Sequence, residues 1–244
     1  MVNSLNQLFI KCDFLITSLP SVSSYNQLLK SILSFSKFDK QKIIIDMNTI
    51  SIKEKKNFKN KINNINIKVL DCPVSGTGAQ AKEGDISIFA SGDKKLIEKC
   101  LPILKSFSKE VINVGRFGNG MKYKILANLL VTIHNTATAE ALWLGELAGL
   151  NKNDVYNTLV NSAATSKMLE KRMPLMINNK YKPATASFNI FMKDIEIIRN
   201  FIKDKKVNLP TFQASSLIYD EASSVISQDY DTAAVYKIIK EECN

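Results

Sequence analysis

The strongest constraint in this sequence is a change of period part of the way along it. Up to about residue 115, short β-branched runs alternate with helical stretches, and from Gly118 onward helix-period patterns follow one another. "DFLITS" (Asp13 to Ser18), "KIIID" (Lys42 to Asp46) and "IKVLD" (Ile67 to Asp71) read as strands, with "DISIFASG" and "VINVG" after them. The helical "VSSYNQLLKSILSF", with Ser21 as its cap, and "SIKEKKNFKNKI" separate the first three, and a helix from about Asp93 to Ser106 separates the last two. Such alternation predicts βαβ units, hence a parallel sheet with right-handed crossovers.

A long helix is expected from Gly120 to about Ala148, where Gly149 supplies a C-terminal stop. Asn151 or Asn153 caps a further helix, and "NIFMKDIEIIRNFIKD", "TFQASSLIYDEASSVIS" and "DTAAVYKIIKE" are three more. The expected architecture is an α/β domain over residues 1–117 followed by an all-α domain over residues 118–244.

Composition narrows the function classes. The 244 residues are 45% hydrophobic, enough to fill a sizeable core, and carry a formal charge of +10. The lysines scatter with asparagines along solvated faces, as in "KEKKNFKNKINN", so no nucleic-acid partner is expected. The longest apolar run, "ILANLLVTI", is far short of the ~20 residues of a membrane span, so no membrane association is expected. Lys11 and Asp13 interrupt what would be the core of a signal peptide. Cys12, Cys72, Cys100 and Cys243 show neither Cys-x-x-Cys spacing nor pairing with the lone His134. They read as reduced thiols of a cytoplasmic protein without a zinc site.

Two segments carry chemistry. "DCPVSGTGAQAKEG" (Asp71 to Gly84) follows a strand and sets Ser75 beside Gly76 at its carboxyl end, where ligands sit in open α/β sheets. A hydroxyl and open backbone N–H groups can bind a carboxylate, although an ordinary Gly-rich turn has the same composition. In "FGNGMKYKILANLL", Gly118 and Gly120 permit close approach at a helix start, and Lys124 and Asn128 share a face at i and i+4. An ammonium there can exchange a proton with a substrate hydroxyl while the amide fixes orientation. Taken alone, such a pair also fits a solvated helix face.

Read in order, "LITSLP", "IIIDMNTIS", "LDCPVSGTGAQAKEG", "GNGMKYKILAN" and "FMKDIEII" resemble the successive signatures of the β-hydroxyacid dehydrogenases, from about Cys12 to the C-terminal helices. The resemblance implies a Rossmann-type sheet, NAD or NADP as cofactor, a small hydroxyacid substrate and a homo-oligomer, dimer or tetramer. It implies that Leu19 and Pro20 border the dinucleotide, that Thr49 lies near the nicotinamide, and that Ser75 and Gly76 hold the substrate carboxylate. By the same resemblance Lys124 is the general acid/base, Asn128 a substrate ligand, and Lys193, with Asp194 beside it, approaches cofactor and substrate.

The sequence also departs from the family. Asn48 stands where serine is usual, Thr77 replaces a second glycine, and Ala127 replaces the first of two asparagines. No Gly-x-Gly-x-x-Gly occurs anywhere, and the family would place three β/α steps, on the order of 60 residues at ~30 per βαβ unit, before "DFLITSLP". The expectation is therefore an N-terminally truncated Rossmann-type sheet, with weak dinucleotide binding by these residues alone. The alternative is an inactive fragment that retains a helical subunit-association surface. His134 and Trp143 read as structural, and Cys72 as a small packed residue.

Overall fold

A computed structural model describes residues 4–241 of the chain, so Cys243 lies outside the described residues. Contacts divide the chain into two compact units, Met1–Ile125 and Leu126–Asn244.

The first unit begins with α1 (Leu5–Lys11), β1 (Phe14–Thr17), α2 (Val22–Leu33), β2 (Lys42–Asp46), α3 (Ile52–Lys61) and β3 (Ile67–Asp71). β4 (Val74–Ser75), α4 (Gly78–Lys82), β5 (Ser87–Ala90), α5 (Lys94–Lys105) and β6 (Glu110–Asn113) follow. β1, β2 and β3 form a parallel sheet in that order, with Leu15 opposite Ile44 and Ile44 opposite Val69. A second sheet has the order β4-β5-β6, with β5 and β6 parallel and β4 antiparallel to β5. An isolated bridge between Asp71 and Ser91 joins the carboxyl ends of β3 and β5.

All five residues of β2 are buried, as expected of a strand covered on both faces. Its alternation assigns Ile44 to one core, with Phe9, Tyr25, Phe58 and Val69, and Ile43 and Ile45 to another, with Leu70, Ile88, Ile97 and Leu104. The crossover helices start where the sequence supplies caps. Ser21 accepts from the Ser24 N–H, Asp93 from the Leu96 N–H, and Ser51 forms a capping box with Glu54. β1 pairs with β2 alone among the described strands and leaves Ile16 47% exposed on the sheet edge.

The last turns of the first unit belong to α6 (Asn119–Leu147), which continues into the second unit. That unit adds α7 (Lys152–Val160), α8 (Lys167–Ile177), α9 (Phe188–Lys205), α10 (Pro210–Val225) and α11 (Val235–Glu241). Gly149, at φ +78°, ends the α6 segment, and Asn151 caps α7. A parallel sheet followed by helices is thus the observed order. Four elements go beyond the sequence expectation: α1, the short β4 and α4 inside the Gly-rich connection, and α8, whose interior Pro174 masks its periodicity.

Candidate active site

The start of α6 is built around a glycine that nothing larger can replace. A Cβ at Gly120 would lie 2.6 Å from the Phe89 carbonyl oxygen, 2.8 Å from that of Asp71 and 2.8 Å from Pro73 Cδ. The helix therefore begins in contact with the carboxyl ends of β3 and β5. Two N–H groups of its first turn are satisfied there: the Gly120 N–H donates to Ser91 Oγ and the Met121 N–H to Asp71 Oδ2, each at 3.0 Å. A carboxylate at this end also complements the positive pole of the 29-residue helix. Lys124, half-buried, stands one turn beyond.

The substrate motif leaves the same strand end. Cys72 and Pro73 are buried, Ser75 ends β4 half-buried, and Gly76 is exposed at φ +146°. A Cβ at Gly76 would also meet Ile86 Cγ2 at 2.6 Å, so both its conformation and its surroundings require glycine. Thr77 caps α4 in a box with Gln80, a structural use for the residue that departs from the family pattern. Burial, and next the Asp71 carboxylate, push the Cys72 thiol well above its ordinary range, consistent with an inert packed residue.

Leu19, Pro20 and Thr49 lie just beyond the carboxyl ends of β1 and β2, with Leu19 and Thr49 half-buried and Pro20 exposed. Asn48 ties them together. Its Oδ1 accepts the Leu19 N–H, and its Nδ2 donates to Thr17 Oγ1 at 3.0 Å and to Asp46 Oδ1 at 2.6 Å. The Asp46 carboxylate also accepts from the Tyr25 hydroxyl at 2.7 Å. Burial and the neighbouring Asp46 raise the Tyr25 hydroxyl far above the phenol range, so it stays a donor. Accessible residues at the carboxyl ends of adjacent parallel strands fit one side of a dinucleotide. The cradle for a pyrophosphate is a different structure, and this sequence has no Gly-x-Gly-x-x-Gly turn to form it.

Asn128 and Lys193 belong to the second unit, where Asp194 links them. The buried Asn128 donates from Nδ2 to Asp194 Oδ2 at 2.8 Å, and Lys193 Nζ stands 3.5 Å from Asp194 Oδ1. The sequence names Asp194 only as a neighbour of Lys193; its hold on Asn128 spans 66 positions and has no local signature. Asp71, Ser91 and Asn48 were likewise invisible as supports, although each adjoins or belongs to a quoted motif. Among the described residues no helix is long and apolar enough to cross a membrane.

Known proteins resemble this chain in sequence and in fold. The family described as "NAD-binding of NADP-dependent 3-hydroxyisobutyrate dehydrogenase" matches residues 118–239, and "NAD binding domain of 6-phosphogluconate dehydrogenase" matches residues 1–115. An L-threonate dehydrogenase of Pectobacterium atrosepticum is 32% identical over 197 residues, 80% of this chain and 64% of the relative. The chain thus spans under two thirds of that relative's length. A 2-hydroxy-3-oxopropionate reductase of Escherichia coli is 28% identical over 201 residues, 82% of this chain and 68% of the relative. The fold matches that of a 3-hydroxyisobutyrate dehydrogenase of Mycobacterium tuberculosis, with a TM-score of 0.88 at 21% identity over 98% of this chain and 83% of that one. The sequence matches extend over both units and include the strand-end and helix-start motifs, and the chain belongs to the β-hydroxyacid dehydrogenase family.

Proposed function

We propose that the chain carries the substrate and proton-transfer machinery of an NAD- or NADP-dependent oxidoreductase acting on the CH–OH group of a small β-hydroxyacid. The observation that carries this reading is the seating of α6. Met121 is bonded to Asp71, the strand end from which "PVSG" departs, and Gly120 to Ser91 at the end of β5, and Lys124 follows one turn later. In this reading Ser75 and the Gly76 backbone receive the substrate carboxylate, since a small hydroxyl and an unobstructed N–H are charge-assisted donors to it. Neutral Lys124 takes the hydroxyl proton during oxidation, and protonated Lys124 returns it during reduction. A bound nicotinamide would supply the hydride acceptor for the carbinol carbon in oxidation and the hydride donor in reduction.

By the family resemblance Asn128, itself held by Asp194, is a substrate ligand, and Lys193 approaches cofactor and substrate. Leu19, Pro20 and Thr49 would line the cofactor. A homo-oligomer, dimer or tetramer, is supported by apolar side chains left open along α6: Leu126, Leu130, Leu144 and Leu147 are each at least half exposed. A cytoplasmic location goes with this activity.

The test is Lys124→Ala. Because these 244 residues contain no Gly-x-Gly-x-x-Gly turn, turnover is measured with the chain fused behind such βα units from a relative. L-threonate, 3-hydroxyisobutyrate and 2-hydroxy-3-oxopropionate are assayed with both nucleotides. Turnover should fall by about 100-fold or more, the lower end of what general acid/base catalysis contributes. A loss of less than tenfold would remove Lys124 from the proton-transfer role.

A further inference from the structure

The proposed chemistry makes no use of one fully buried charge in the first unit. Lys55 lies in α3, within a lysine-rich stretch whose neighbours face solvent, yet it is fully buried. Its Nζ stands 2.7 Å from Asp71 Oδ1, 3.5 Å from Asp46 Oδ2 and 3.3 Å from the Asp46 carbonyl oxygen, and both aspartates are fully buried as well. Such a cluster is a poor source of stability, since apolar side chains of the same volume often serve a core as well or better. Its value lies in what it holds.

Each aspartate reaches outward from the ammonium to a different functional segment. From Asp46 the bonds run through Asn48 to the Leu19 N–H, at the proposed cofactor edge. From Asp71 they run to the Met121 N–H directly, and through Ser91 Oγ, 3.0 Å from Asp71 Oδ2, to the Gly120 N–H. Both N–H groups lie in the first turn of α6, one turn before Lys124. The Lys55 ammonium is the joint between the two branches. Without it, two buried carboxylates at the ends of adjacent strands would repel each other, with nothing between them to balance the charge.

We propose that Lys55 is a positioning residue: with Asp46 and Asp71 it forms a buried clamp that couples the Leu19–Pro20 loop to the first turn of α6, and so fixes Lys124 relative to the cofactor edge. The proposal rests on Lys124 being the proton-transfer group, but the clamp can be tested without turnover.

The experiment is amide hydrogen exchange on the 244-residue chain carrying Lys55→Met, which keeps the volume of the stem. The Leu19 and Met121 amides should both exchange about 10- to 100-fold faster, as expected when charge-assisted hydrogen bonds are weakened. Ile44 and Ile45 in β2, which report opening of the whole sheet, should keep their rates. Uniform acceleration of all four amides would reduce Lys55 to a structural filler, and an unchanged Leu19 or Met121 amide would break the coupling. Should Lys55→Met fail to fold, Asn48→Ala releases the Leu19 end alone. The clamp then requires faster exchange at Met121, and an unaltered Met121 amide overturns it. If Lys124→Ala retained turnover while these exchange results held, the clamp would stand and the role of Lys124 would fall.

Discussion

The two units bury polar side chains to different ends. In the first, buried charge gathers at the carboxyl ends of β2 and β3 and reaches from there to loops and a helix start. In the second, buried polar groups cross-link helices to one another and to the segments between them. Asn135 donates to the Tyr219 hydroxyl at 2.7 Å and to the Thr232 carbonyl at 2.8 Å, and Thr136 bonds Ser215 at 2.8 Å. Arg172 pairs with Asp231, whose carboxylate also receives the Thr185, Ala186 and Ala233 N–H groups. The contrast follows from the backbone. A sheet fixes its strands through ladder bonds, which leaves side chains at strand ends available to aim loops. Helices satisfy their own backbones and need packing and side-chain links to fix register.

The largest effect expected from breaking this contrast is in the second unit. Arg172→Leu leaves the Asp231 carboxylate buried with its N–H donors but without its counter-charge, and should cost about 3 kcal/mol, the lower end for a broken buried pair. Urea unfolding followed by the fluorescence of Trp143, the single tryptophan, would read it. A loss within experimental error would mean that apolar packing alone fixes these helices. In the first unit, Gly120→Ala forces a methyl group against two carbonyl oxygens and should cost about 1–3 kcal/mol, as overpacking does. The same substitution at Gly149, where nothing lies within 4 Å, meets only the strain of φ +78° and serves as the control. Equal losses at the two glycines would undo the claim that α6 is seated on strand ends. Smaller still, Ser75→Ala in the fused protein should raise KM for the carboxylate substrate more than it lowers kcat, because a contact made already in the ground state is removed. An unchanged KM would return "PVSG" to the status of a turn.

Local chemistry was legible in the sequence; long-range polar contacts were not. β2 and β3 have the bounds expected from "KIIID" and "IKVLD", Ser21 caps its helix as expected, Asn151 rather than Asn153 caps α7, and Asp93, the expected start of α5, is its cap. These features depend on neighbours within a few residues. Lys55 illustrates the other kind: among several lysines of "SIKEKKNFKNKI" it differs from Lys53 and Lys56 only because α3 turns it toward Asp46 and Asp71. Asn48 appeared as a departure from a motif, yet in the fold it joins β1 to β2. α8 has no signal in the sequence reading because an interior proline ordinarily ends a helix, although Ser166 caps its start. The resemblance supplied candidate residues for the site, while Asp71, Ser91 and Asp194, which support them, emerged only from tertiary geometry.

The smallest predicted effect bears directly on the comparison of the two units. β1 is paired on one side among the described strands, and Ile16 is 47% exposed at that edge, whereas Phe188, Phe212 and Tyr219 of the helical unit are almost fully buried. The first unit should therefore open at lower urea than the second. The chain carries its own probes for this. Cys72 and Cys100 are fully buried in the first unit, and burial pushes the Cys100 thiol up to about 11, so neither should react at neutral pH while that unit is folded. Trp143 belongs to the second unit. With Cys12 and Cys243 replaced by serine, pulsed thiol labelling reports the sheet and fluorescence reports the helices. A difference of ~1 kcal/mol, at slopes of 1–3 kcal/mol per molar urea, separates the midpoints by about 0.3–1 M, with thiol labelling first. Coincident transitions would show that the two units unfold as one cooperative block, and fluorescence moving first would place the weaker packing in the helices.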